Sequence, residues 1–280
     1  MDRIYLDNNA TTPLDPRVLE HMLPYLTERF GNPASTHHEF GREALSGVDQ
    51  AREHLAELIG ASPDEIVWTS GATESCNLAI KGIARHYRDK GRHIVTQLSE
   101  HPAVLDTCKA LEGQGFRVTR LPVDRDGLID LKDLQNALTN DTILVSIMTA
   151  NNETGTIQPV AQIGALCKQR GVLFHSDVTQ ALGKLPLDVD ALNLDLASAS
   201  AHKAYGPKGV GMLYLRKTNP PVRCDPILHG GGHERGRVLP AGHGGSYRRH
   251  RASGGHRRRP GSRAAAVRAV PADESLHCGV

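Results

Sequence analysis

Asp177 closes the segment Leu173-Phe-His-Ser-Asp177-Val-Thr-Gln180, and Lys203 closes Ser198-Ala-Ser-Ala-His202-Lys203. The first segment places a carboxylate at the end of a hydrophobic strand. The second places an amine after another strand, among small polar residues. Such a pair suits pyridoxal 5′-phosphate (PLP). A lysine amine holds the aldehyde as a Schiff base, and an acid keeps the pyridine nitrogen protonated so that the ring can act as an electron sink. Either residue alone would say little, and Asp177 also reads as a helix cap for Val178 to Leu182.

A phosphate needs its own cradle. Ser70-Gly71-Ala72-Thr73 falls between a strand-like and a helix-like segment, where backbone N–H groups and the helix dipole can hold a dianion. The same residues read equally well as a Ser/Thr cap with Glu74 in the first turn. His101 follows another strand-like run, where a lone histidine is more often a surface residue.

These residues need elements to hold them. Strand-like runs cover 65–69, 93–97, 116–121, 142–148, 172–175, 194–198 and 210–215. Helix-like runs cover 74–88, 103–112, 131–138 and 160–169, the last closed by Arg170-Gly171. Alternation of apolar strands with helices predicts an α/β fold with a mostly parallel sheet. Ligands of such sheets collect beyond the carboxyl ends of the strands, where Thr73, Asp177, His202 and Lys203 fall. Upstream, 16–29 and 43–58 read as helices. Two polar loops, 6–13 and 31–38, read as easily as solvated connections as anything else.

The chain has 280 residues, enough for one large domain or one and a half. With 33 Lys and Arg against 31 Asp and Glu, it carries no global charge that would point to nucleic acid or a membrane surface. No apolar run reaches membrane-spanning length, and the start reads as a strand instead of a signal peptide. Cys76, Cys108, Cys167, Cys224 and Cys278 are scattered and lack metal spacing, which favours reduced thiols, a cytoplasmic setting and no metal site.

The last forty-odd residues differ from the rest. Arg237 to Ala272 contains no acidic residue and is crowded with Arg, Gly, His and Pro. A basic nucleic-acid arm is one reading. With almost no interleaved aromatics and no matching basic face elsewhere, translation out of frame is the other.

Taken in order, the motifs carry a family resemblance. They are Leu6-Asp-Asn-Asn-Ala-Thr-Thr-Pro13, Gly31-Asn-Pro-Ala-Ser35, Thr69-Ser-Gly-Ala-Thr-Glu-Ser75, Glu100-His101, Asn151-Asn-Glu-Thr-Gly155, His175-Ser-Asp-Val-Thr-Gln180, Ser200-Ala-His-Lys203, Tyr205-Gly-Pro-Lys-Gly209 and Gly230-Gly-Gly-His-Glu-Arg-Gly236. Residues 1 to 236 resemble the cysteine desulfurases of the class-V aminotransferase family. The resemblance implies the aspartate aminotransferase-like fold of PLP-dependent transferases, a mostly parallel central sheet with helices on both faces. It also implies conversion of L-cysteine to L-alanine, with a persulfide sulfur passed to an acceptor or iron–sulfur scaffold protein, and a homodimer. On this reading residues 1–15 are an N-terminal segment, 16–236 the PLP-binding large domain, and 237–280 a tail, with the C-terminal small domain largely missing.

The resemblance also assigns roles. Ala72, Thr73, Ser200 and His202 would hold the phosphate, and His101 would stack on the ring and move protons. Asp177 would pair with the pyridinium nitrogen. Gln180 and Asn152 would lie near the phenolic oxygen, and Lys203 would carry the cofactor. The chain departs from the family after Gly236, where Arg237-Val-Leu-Pro240 stands in place of an Arg-Ser-Gly-Thr segment. The persulfide-forming cysteine of the family belongs to a later Ser/Gly-rich loop, and its substrate-carboxylate arginine lies later still. None of the five cysteines here has that loop context. The resemblance therefore leaves room for another lyase of the family, such as a selenocysteine lyase, or for a non-catalytic PLP-binding remnant.

Overall fold

Runs such as Ile94-Val95, Leu144-Val145 and Leu196-Ala197 send one apolar side chain to each face of a strand, so both faces of the resulting sheet demand cover. A computed structural model, which describes residues 4–218 and 220–229, shows that cover. Its elements are α1 (Pro16–Thr27), α2 (Glu39–Leu58), β1 (Ile66–Thr69), α3 (Ala72–His86), β2 (His93–Gln97), α4 (Pro102–Glu112), β3 (Arg117–Leu121), α5 (Leu131–Ala137), β4 (Thr142–Ser146), α6 (Val160–Arg170), β5 (Leu173–Asp177), β6 (Leu196–Ser200) and β7 (Gly211–Leu215).

Among the described residues the seven strands form one sheet in the order β1-β7-β6-β5-β4-β2-β3. The pairs β2–β3, β2–β4, β4–β5 and β5–β6 are parallel. β7 runs antiparallel to both β1 and β6. Ala56 and Ile59, at and just beyond the end of α2, pack on one face with Leu134 of α5 and Ile163 of α6, against Val95, Val145, Phe174 and Tyr214. On the other face, Ile80 and Ile83 of α3 and Val104 and Leu111 of α4 meet Ile94, Leu144, Leu196 and Leu213. Each such large side chain, fully buried, contributes about 1.5–3 kcal/mol. Among the described residues no helix is long and apolar enough to cross a membrane.

Boundaries differ from the sequence expectation where long-range pairing decides them. The strand expected to end at Ser198 continues to Ser200, because β7 extends the ladder to the pair Ser200↔Gly211. The strand expected to reach Met148 stops at Ser146. Helix α2 begins at Glu39, four residues before the expected start, where His38 accepts from the Gly41 N–H at 3.1 Å. The helix 178–182 that the alternative reading of Asp177 required does not form, and residues 179–184 are turns. Cys278 and the 237–280 tail lie outside the described residues.

Candidate active site

Ser70 and Gly71 turn the chain from β1 into α3. Gly71 is the N-cap with φ of 156°, and no side chain caps the helix. Glu74 reaches back instead to the Ser70 N–H and hydroxyl, at 2.8 and 2.6 Å. The Ser/Thr-cap alternative is thereby ruled out, and the dipole end of α3 stays open. The turn is pressed against β7. A Cβ on Gly211 would lie 2.5 Å from the Gly71 Cα and 2.7 Å from the Ala199 carbonyl oxygen, so only glycine fits there.

At the ends of the central strands the chain delivers the other groups. Asp177 is the last residue of β5 and nearly buried, with Oδ1 accepting from the Thr179 N–H at 2.9 Å. This bond closes a local turn, so part of the capping alternative is realised without a helix. Oδ2 has the Cys76 thiol of α3 at 3.9 Å. Ser200 ends β6, and Ala201–Lys203 form a single 3₁₀ turn. Tyr205, just after it, holds φ at 58°, a strained value for an aromatic residue.

That turn is fastened by the N-terminal loop. Thr12 donates to the His202 carbonyl through its N–H at 2.8 Å and its hydroxyl at 3.0 Å, and accepts from the Tyr205 N–H at 2.8 Å. His202 Nδ1 lies 3.0 Å from the Thr11 hydroxyl. Burial, then the charges of Lys203 and Lys208, lower the His202 pKa and keep its ring neutral. Burial and Lys203 likewise lower that of Lys184, whose ammonium reaches Gln180 Oε1 at 2.9 Å. Gln180 also donates to the Asn9 carbonyl at 2.8 Å.

His101 is the N-cap of α4, and its Nδ1 lies 3.1 Å from the Ala103 N–H. A backbone N–H can only donate, so Nδ1 accepts and the neutral ring carries its proton on Nε2. Asn152 donates to Glu153 Oε1 at 2.7 Å.

All nine residues singled out in the sequence, Ala72, Thr73, His101, Asn152, Asp177, Gln180, Ser200, His202 and Lys203, line one cavity of about 530 Å³. The size suits a small organic ligand. Sequence reasoning missed Ala10, Thr11, Met148, Thr179 and Lys208, which line it too. The motif containing Ala10 and Thr11 was a signal that composition alone could not separate from a surface loop. The four described cysteines are all buried. Burial pushes Cys108, Cys167 and Cys224 up to about 12, and burial with the charge of Asp177 raises Cys76 well above the ordinary thiol range. None is a thiolate at neutral pH.

The family model described as Aminotransferase class-V matches residues 4–243. The cysteine desulfurase IscS of Rickettsia rickettsii (strain Iowa) is 57% identical over 233 residues, covering 83% of this chain and 57% of that protein. The mitochondrial cysteine desulfurase of Drosophila melanogaster is 60% identical over 233 residues, covering 83% of this chain and 50% of that one. A solved NifS-like protein superposes with a TM-score of 0.80 at 47% identity, over 84% of this chain and 64% of its own. A structure described as SspA in complex with cysteine gives 0.77 at 44% identity, over 82% and 66%. The chain thus spans little more than half the length of the curated relatives it matches.

Proposed function

The chain belongs to the class-V aminotransferase family, a family of PLP-dependent enzymes, and we propose that it is the cofactor-binding part of a cysteine desulfurase. The observation that carries this reading is the convergence of an amine, a buried carboxylate and an uncapped helix N-terminus on one cavity. The donor set fits a phosphorylated pyridine aldehyde. The open end of α3 with Thr73, Ser200 and His202 suits a dianionic phosphate, and Lys208 adds positive charge beside them. Asp177 offers a carboxylate to a ring nitrogen, and Lys203 a primary amine to an aldehyde.

When bound, PLP supplies an electron sink for negative charge developing at the substrate carbon. The protein's residues do the rest. Lys203 anchors the cofactor, and Asp177, held by Thr179, keeps the ring nitrogen protonated. His101 would stack on the ring and help move protons through Nε2, the ring nitrogen that its bond to the Ala103 N–H leaves free. Gln180 and Asn152 orient the ring oxygen and the substrate. L-cysteine is the substrate this reading assigns, with alanine and a transferable sulfur as products. An iron–sulfur scaffold or other acceptor takes the sulfur, and a homodimer in the cytoplasm is the working form. The organisation that goes with it is an N-terminal segment 1–15, a large domain 16–236 and a distinct tail 237–280. The sulfur-accepting thiol is none of the four described cysteines, which are buried and protonated.

Borohydride reduction of the chain incubated with PLP, followed by peptide mapping, tests the site. The pyridoxyl label is expected on Lys203, and label on Lys184 or Lys208 would overturn the assignment. Alanine formation from cysteine by the 280-residue chain is expected at least ~10³-fold below that of a full-length relative, since among the described residues no cysteine lines the cavity.

A further inference from the structure

Glu100 lies outside the cavity yet is bonded to its walls. It precedes His101 in the turn between β2 and α4 and is only 5% exposed. Its Oε1 accepts from the Met148 N–H at 2.5 Å, and Met148 lines the cavity. One residue on, the Thr149 N–H donates to the Asp177 carbonyl at 3.0 Å. Asn151 Nδ2 adds a bond to the Ser99 carbonyl at 2.8 Å. Residues 148–151 therefore join the turn that carries His101 to the strand end that carries Asp177, and the bond from Glu100 is a buried one.

We propose that Glu100 is a positioning residue that holds the His101 turn in register with Asp177. This rests on the assignment of those two residues to the cofactor ring. Among the described residues Glu100 Oε2 makes no hydrogen bond of good geometry, and Gln97 is the polar side chain beside it. Asp177, Cys76, Cys108 and Gln97 are the groups that act on it or feel it. Burial first, and the neighbouring Asp177 charge as well, push its pKa well above the usual carboxylate range, against the Met148 N–H and Gln97, which lower it. Burial and the neighbouring Asp177 thus both disfavour the charged form of Glu100, while its Oε1 ties the two turns together through the Met148 N–H.

A general structural role would loosen the whole sheet on mutation, whereas a positioning role loosens two turns. Hydrogen–deuterium exchange on the cofactor-free chain separates them. Glu100→Ala is expected to raise exchange about 10-fold in peptides 98–105 and 146–152, while 93–97 stays protected, as for one lost buried hydrogen bond. Glu100→Gln keeps the Oε1 acceptor and should match wild type. An unchanged 146–152 peptide, loosening across the sheet, or equal loosening by Gln would overturn the proposal. Should Glu100→Ala not fold, Glu100→Asp, one methylene short of Met148, takes its place with the same expected pattern. With PLP added, visible circular dichroism should fall by at least about half in Glu100→Ala, but little further when His101→Ala is already present. Equal losses in both backgrounds would count against action through His101. The exchange measurement contains no PLP, so failure to bind cofactor would sink the functional reading and leave this test standing.

Discussion

Helices α1 and α3 both carry apolar residues at helical spacing, and the fold treats them in opposite ways. Cys76, Ala79, Ile80 and Ile83 of α3 are completely buried under β1, β6 and β7. In α1 no residue is buried, and Leu19, Leu23 and Leu26 stand about half or more exposed. The Tyr25 ring of α1 lies over Gly47 of α2, where a Cβ would come within 2.4 Å. Amphipathic spacing states that a face is apolar. Stability comes only from what covers it.

Four measurements probe this contrast. Ile83→Ala should lower unfolding free energy by about 2–5 kcal/mol, read by urea denaturation, because the packed α3 face cannot collapse onto the void. A loss below 1 kcal/mol would show the α3 side to be as loosely held as α1.

The core strands also bury polar groups, and these make stability depend on pH. His175 on β5 lies between Ser146 and Ser198 hydroxyls, at 2.8 and 2.9 Å, and burial lowers its pKa to about 3. The unfolded chain takes up this proton first, near pH 6.5, so the contribution is present above that value and lost as pH falls toward 3. By pH 5 the loss is about 2 kcal/mol. His93, lowered to about 4 by burial, acts in the same direction. Equilibrium unfolding at pH 7 and pH 5 should show the slope, and His175→Gln should flatten it.

Gly211→Ala should cost about 1–3 kcal/mol, since the new methyl meets backbone atoms of Gly71 and Ala199 that cannot yield without moving the α3 turn. A weaker affinity for PLP should accompany it, measured by absorbance titration. Leu23→Ala marks the other extreme, with an expected change within ~0.5 kcal/mol. A larger loss would mean that α1 is covered in solution.

The order and type of the elements were legible, because buried strands here are short apolar runs and the helices between them end at signals such as Gly171, whose φ is 64°. Their limits were less so. Ser200 reads as a loop residue until β7 pairs with it. The N-terminal loop has the composition of a solvated connection, and only its bonds to His202 and Tyr205, some 190 residues away, reveal a structural part. Asp177 and Lys203 were legible as chemistry. Glu100 and Cys76 were not, since their proximity to Asp177 depends on which face of β5 that residue takes and on how α3 lies across it.

The antiparallel strand β7 has a consequence in time. Among the described residues β1 hydrogen-bonds to β7 alone and stands at the sheet's edge, so that strand partner arrives more than 140 residues later in the chain. During synthesis β2 to β6 can pair as they emerge, while β1 and the Ser70–Gly71 turn wait without a ladder. The Ser70–Gly71 turn is encoded early and assembled last, and until residue 215 has left the ribosome the nascent chain carries an unpaired edge that invites association with other chains.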